Sequence, residues 1–194
     1  MILCDREIEQ AIKQKKIIIE PAPKEDQYTT SALDLFLGDE IFELRSQRDL
    51  AAEEPEGVER NLIINPSNID MQSFLQKYAI PLKRENDGSF ILQPDKFILG
   101  ITRERIELPR SSKIAARVEG RSTLARLGLL VHLTAPTIHA GFSGKIVLEM
   151  VNFGKYPLRL CPSKLAICQL IFERLGAVPK GPVRTKYQGQ QKIK

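Results

Sequence analysis

From Phe90 to Leu175 the chain is cut into short aliphatic and β-branched runs, and that segmentation limits the folds open to it. FILQ, KFILGITRERIEL, SKIAARVEG, GKIVLEMVNF, PLRL and AICQLIFERL follow one another, with Pro, Gly or Asn between most of them. Runs of this length and composition suit strands bounded by turns. Their spacing predicts a mainly antiparallel barrel or sandwich. A chain of 194 residues with 42% hydrophobic and 27% charged content can bury a core of one domain with appendages. Trp is absent, so that core must rest on Ile, Leu, Val and Phe.

The first part of the chain reads differently. DREIEQAIKQKK predicts a short helix, with Asp5 as N-cap and Ile8, Ala11 and Ile12 on one face. IIIEP predicts a strand stopped by Pro21. SALDLFLGDEIFEL alternates, and its Gly38-Asp39 pair predicts a hairpin. Residues 46 to 72 are polar and acidic, with Pro55 and Pro66, and read as a surface excursion. MQSFLQKYAIPL holds a helical turn. After Glu173 the chain has no acid, contains Gly and Pro, and ends in YQGQQKIK, which predicts a flexible C-terminal tail.

Several classes of protein fall away. Charge or Pro breaks every apolar run before it could span a bilayer. MILCDREIEQ carries acids where a secretory leader needs a basic and then an apolar region, so a cytoplasmic protein is expected. Cys4, Cys161 and Cys168 show no C-x-x-C spacing, which argues against a disulfide framework and against zinc. A net charge of +5 favours an anionic partner; nucleotide, nucleic acid and membrane surface all qualify, and so does simple solubility. Aromatic residues, at 6%, are sparse for a single-strand binder.

Two segments carry candidate chemistry. In VEGRSTLARLGLLVH, Arg121 and Arg126 flank Ser122 and Thr123, between Gly120 and Gly128. A guanidinium is a permanently charged donor fork that matches phosphate oxygens, and hydroxyls and amides beside glycine can complete the cradle. The competing reading is two surface charges flanking a turn. In GKIVLEMVNF, a strand would put Ile146, Leu148 and Met150 on one face and Val147, Glu149 and Val151 on the other. Both faces are apolar, so Glu149 would stand in a poorly solvated place, where a carboxyl can serve as general base and then acid. An edge position, with Glu149 meeting water or an Arg, would read the same. His132 and His139 lack metal-ligand spacing, and His139 sits in a turn-rich context. Lys186, Tyr187 and Gln190 give the tail a cation, a phenol and an amide that could fold over a bound anion.

Taken in order, DREIEQAI with IIIEP, SALDLFLGDE, EGRSTLARLGL, TIHAGFSGKIVLEMVN, ICQLIFERL and KYQGQ resemble the dCTP deaminase family, which is related to the trimeric dUTPases. The likeness spans nearly the whole chain outside about Arg45 to Gly88. It implies a distorted β-barrel or jelly-roll of the dUTPase-like type over residues 1–175, with a short N-terminal helix. Residues 176–194 would be a tail closing over the nucleotide. It implies hydrolysis of dCTP to dUTP and ammonia, supplying dUTP for dTTP synthesis. A homotrimer is implied, with active sites between subunits. So are magnesium bound with the triphosphate, no zinc, no membrane or nucleic-acid partner, and dTTP as a feedback inhibitor acting near His132 to Ala135. Zinc deaminases instead need H-x-E and P-C-x-x-C, which this chain lacks.

Carried over by position, Glu149 matches the catalytic carboxylate, and Ser122 and Arg126 match the residues that organise the attacking water. Arg121 and Thr123, with Leu124 and Ala125, match the phosphate-binding part of the same loop. Val147 and Leu148 would line the base through their backbone. Ala135 matches a small residue that leaves room for the base, and Gln169, Lys186 and Gln190 match ligand contacts. His139 stands where many relatives have Asp, the residue that in dUTPases activates water against the α-phosphate. A histidine can still bond the sugar hydroxyl, so the expectation is deamination without the diphosphatase step. The alternatives are a bifunctional enzyme giving dUMP and pyrophosphate, and a non-catalytic trimeric barrel that binds nucleotide or nucleic acid. The tail lacks the glycine-rich aromatic motif of dUTPases, and its approach through GAVPKGPVR is short.

Overall fold

The structure, a computed structural model, describes residues 1–46, 63–181 and 188–193. Much of the acidic excursion, with Pro55, and the tail residues Lys186 and Tyr187 therefore lie outside the described residues. Helix α1 (Asp5–Lys13) opens the chain. Cys4, rather than Asp5, is its N-cap: Cys4 is extended, and its amide donates to Glu7 Oε2 at 3.1 Å. The acid three residues on supplies the acceptor, and Asp5 falls in the first turn, where a negative charge suits the helix dipole. Ile8 and Ala11 are buried as the 3.6-residue period requires, and Ile12 packs against the same core.

The strands of the described residues are β1 (Ile18–Glu20), β2 (Leu33–Leu44), β3 (Ala79–Pro81), β4 (Phe90–Leu92), β5 (Phe97–Glu107), β6 (Ile114–Gly120), β7 (Leu129–Leu130), β8 (Thr137–Ile138), β9 (Ser143–Asn152), β10 (Leu158–Leu160) and β11 (Ala166–Arg174). Among the described residues, two further α-helices are α2 (Met71–Tyr78) and α3 (Ser122–Arg126). Every strand pairing among the described residues is antiparallel. One curled sheet runs β7-β9-β5-β2-β11-β6-β8, with β1 added to β5 and β3 to β2, while β4 and β10 pair separately. This is the mainly β, barrel-like fold that the segmentation implied.

The hairpin expected at Gly38-Asp39 does not form. Leu33 to Leu44 is one strand, whose two parts pair with different neighbours. Asp34 and Leu35 face Gln169 and Cys168 of β11, whereas Ile41 and Phe42 face Gly100 and Leu99 of β5. The register shifts between Leu37 and Ile41, and Gly38 sits where a Cβ would lie 2.8 Å from the Ile101 carbonyl oxygen. A Gly-Asp pair signals a tight turn or a bulge equally well; here it is a bulge that bends β2 from one side of the barrel to the other.

A matching irregularity lies in β5 between Ile101 and Arg105. There the Thr102 hydroxyl donates to the Glu104 carbonyl at 2.8 Å and accepts from the Ile146 amide at 3.0 Å. Glu104 lies fully inward, on the face that Ile98 and Ile106 give to the core, although the surrounding TRERIE looks like a surface strand. Its carboxylate is satisfied: the Phe36 amide donates to it at 2.9 Å, and Arg103 and Gln27 donate as well. Burying a charge is tolerable only with such partners. Elsewhere the interior is aliphatic, with Leu35, Ile98, Leu148, Met150, Leu170 and Phe172 essentially without solvent contact. Each such side chain contributes about 1.5–3 kcal/mol. No helix of the described residues is long and apolar enough to cross a membrane.

Candidate active site

Strand β9 has a core face and a site face. Ile146, Leu148 and Met150 point into the core, while Val147 and Glu149 on the opposite face are half-buried. The site face has its own apolar cover. Leu99 and Ile101 of β5 form a second cluster with Ile193 of the tail, and Phe42, Leu75, Phe97 and Val147 pack against it. Strand alternation accounts for this, because Leu99 lies directly opposite Glu149 and Ile101 opposite Val147.

Between this face, helix α2 and the stretch from His132 to His139 lies a cavity of about 530 Å³. Ala135, His139, Val147, Leu148, Glu149 and Gln190 all line it, so the structure brings these predicted residues together. The Glu149 carboxylate has no hydrogen-bond or ion-pair partner among the described residues, and so is free to face a ligand. Lys145, two residues before Val147 on the same face, also lines the cavity. Sequence reasoning missed it, although its parity with Glu149 was there to be used.

The phosphate-loop candidates lie elsewhere. Ser122 to Arg126 form α3, a five-residue helix directly after β6. Ser122, Thr123, Ala125 and Arg126 are exposed, Arg121 is half-buried, and Leu124 packs against the main core. After Leu127 the chain turns at Gly128 with φ +89, against the backbone of Gly154, where a Cβ would collide. Arg121 Nη2 lies 3.3 Å from Asp34 Oδ2. Asp34 is only 6% exposed, and its other oxygen is buried without a partner. Burial pushes its carboxyl above the usual range, against the opposing pull of Arg121. Gln169 faces Asp34 on one side and Glu119 on the other, and its amide donates to the Gly120 carbonyl at 3.4 Å. Neither Gln169 nor any residue from Arg121 to Arg126 lines the cavity. The single chain thus carries two separate groups of candidate residues. Lys186 lies outside the described residues. Asp34 was not anticipated, since a carboxylate alternating with leucines reads as a solvent-facing strand position.

The dCTP deaminase-like family model matches residues 2–175. This chain belongs to the dCTP deaminase-like family. The enzyme class expected from the sequence stands with that membership. Among the family's curated members, the "dCTP deaminase, dUMP-forming" of Persephonella marina is 38% identical over 191 residues, covering 98% of this chain and 93% of its own. That of Methanosphaera stadtmanae is 34% identical over 195 residues, covering 97% and 89%. The "dCTP deaminase" of a Shewanella species is 37% identical over 198 residues, covering 98% and 95%. Among solved structures, the 2'-deoxycytidine 5'-triphosphate deaminase from Agrobacterium tumefaciens superposes with a TM-score of 0.62 at 20% identity over 90% of this chain. This chain spans about half of that one, 48% of its length, and the likeness is one of fold.

Proposed function

We propose that this chain hydrolyses the 4-amino group of dCTP, giving dUTP and ammonia. The observation that carries the reading is Glu149: a carboxylate without a protein partner, on the wall of a cavity of about 530 Å³, in a chain of the dCTP deaminase-like family. Glu149 takes a proton from water, and the resulting hydroxide adds to C4 of cytosine. The proton passes to N3, and a second transfer through the carboxyl lets the amino group leave as ammonia, so one water is consumed for each ammonia released. The backbone from Val147 to Glu149 offers the base edge fixed donors and acceptors, and Ala135 leaves room for the ring.

Arg121 to Arg126 supply the remaining roles in this reading. Arg121, Thr123 and the amides about Leu124 and Ala125 grip the triphosphate; Ser122 and Arg126 orient the water and the carboxylate. They sit apart from the cavity on one chain, which supports a homotrimer whose sites are completed by a neighbouring copy. Gln169, Gln190 and Lys186 add contacts, and residues 176–194 close over the nucleotide. Magnesium enters as part of the substrate, bound to its phosphates. No cluster of three or more His, Cys, Asp or Glu among the described residues is arranged to hold a metal of its own. Inhibition by dTTP would act through His132 to Ala135, and His132 and Ala135 line the same cavity.

A second reading continues to dUMP and pyrophosphate. The dUMP-forming names of relatives 34% and 38% identical favour it. His139 in place of an acid favours stopping at dUTP. Incubating the purified chain with dCTP and magnesium, and following ammonia and pyrophosphate together, separates them. Ammonia alone supports dUTP; stoichiometric pyrophosphate replaces it with dUMP; no ammonia removes both.

A further inference from the structure

We infer that Ile193 is a positioning residue: with Gly144, it fixes Gln190 on the wall of the Glu149 cavity and so sets how tightly nucleotide is held. The nature of the ligand rests on the proposed function; the anchoring itself does not.

The inference begins at an open strand edge. On the side away from β5, strand β7 covers β9 only at Val151 and Asn152. The start of β9 is taken up instead by the tail. The Gly189 amide donates to the Ser143 carbonyl at 2.6 Å, and the Lys145 amide donates to the Gln190 carbonyl at 2.7 Å. This works because Gly144 stands between them. A Cβ there would lie 2.9 Å from the Gln190 carbonyl oxygen and 3.0 Å from its nitrogen. At φ +154, Gly144 also holds a conformation that favours glycine.

Backbone bonds at a wet edge hold a polar segment weakly, because water competes for the same groups. The holding group is Ile193, the one aliphatic residue in QGQQKIK. It is 4% exposed, packed with Leu99 and Ile101, and its amide donates to Glu40 Oε2 at 3.3 Å. Between the two attachments the Gln190 side chain donates to the Lys192 carbonyl at 2.9 Å, which stiffens the connection. Gln190 is therefore pinned from the strand edge on one side and from an apolar socket on the other. Ordering such a segment costs conformational entropy, and the burial of Ile193 offsets it. The socket is itself part of the wall that carries Glu149: Leu99, Val147 and Ile193 all line the cavity. Tail position and cavity shape are thus linked through contiguous side chains.

The test compares Ile193→Asp and Ile193→Val with the unaltered full chain. Amide hydrogen exchange is read first, without ligand. Ile193→Asp should speed exchange at Lys145 and Gly189 by about tenfold or more, the scale of one lost aliphatic burial. Amides in β6 and β11 should be unchanged, and Ile193→Val should restore protection. In turnover of dCTP, Ile193→Asp should raise KM by a similar factor with kcat changed far less, again restored by Val. Unchanged exchange at Lys145 overturns the inference. So does faster exchange with an unaltered KM. If the unaltered chain releases no ammonia from dCTP, the proposed function fails instead, and the exchange arm alone decides the anchor.

Discussion

Glu149 stands on a long strand, with a core of Leu148 and Met150 behind it and a cavity in front. Arg126 stands at the end of a five-residue helix with its side chain in solvent. The contrast separates two tasks. A group that must meet one atom of a base profits from a rigid sheet, where neighbouring side chains fix its rotamer. Groups that grip a triphosphate can sit on an exposed turn, provided some other surface brings the ligand to them. The monomer places these two kinds of group apart, and the proposed trimer is what joins them.

The largest expected effect comes from the rigid half. Glu149→Gln keeps shape and removes the base, so ammonia release should fall by about 10²–10⁴-fold. Calorimetry should find dCTP still bound; normal turnover by this variant would take Glu149 out of the mechanism. A smaller effect is expected from the exposed half. Arg121→Ala removes a charged donor worth about 1.5–3 kcal/mol, so KM for dCTP should rise by roughly 10- to 100-fold with kcat less affected. A fall confined to kcat would move Arg121 from grip to chemistry and erase the contrast.

The smallest effect concerns Asp34, beneath Arg121. Burial raises its folded carboxyl above the ordinary value of 3.8. A raised folded pKa means that the folded state holds the proton more firmly than the unfolded one. This contribution to stability is therefore present below pH 3.8 and is lost as pH rises through the folded value. Urea melts across that window should show the downward slope, and Asp34→Asn should flatten it. An identical slope in the variant would show that the buried carboxylate carries no such cost.

Much of the fold was legible because strands announce themselves locally. Each run from FILQ to AICQLIFERL holds a strand, and the face assignment of Ile146, Leu148 and Met150 follows from period two alone. What failed was pairing. Gly38-Asp39 looks like a hairpin until it is known that Asp34 faces β11 and Phe42 faces β5, which no local pattern records. Glu104 was hidden for a different reason: it keeps the inward parity of Ile98 and Ile106, but a carboxylate there reads as solvent-facing until the Phe36 amide and Gln27, distant in sequence, are known to donate to it. In the candidate site, the residues around Glu149 converge on one cavity within one chain. The Arg121 loop was legible as a set of residue types but not as a place: in one chain it lies apart from the Glu149 cavity, and only the proposed trimer would bring the two together. The tail was read as flexible because it has no acid and contains Gly and Pro; the contacts of Gly189 and Gln190 at Gly144 and of Ile193 with Leu99 and Ile101 are long-range and leave no local pattern.

The shared site can be tested most directly by mixing two inactive chains. Glu149→Gln and Arg126→Ala are denatured together in equal amounts, refolded, and assayed for ammonia release from dCTP. If each site takes Glu149 from one subunit and the Arg121–Arg126 segment from its neighbour, mixed trimers regain one intact site each. Activity should then recover to about a quarter of the unaltered enzyme. Activity no higher than the sum of the two parents, in a sample shown to contain mixed trimers, would contradict the account.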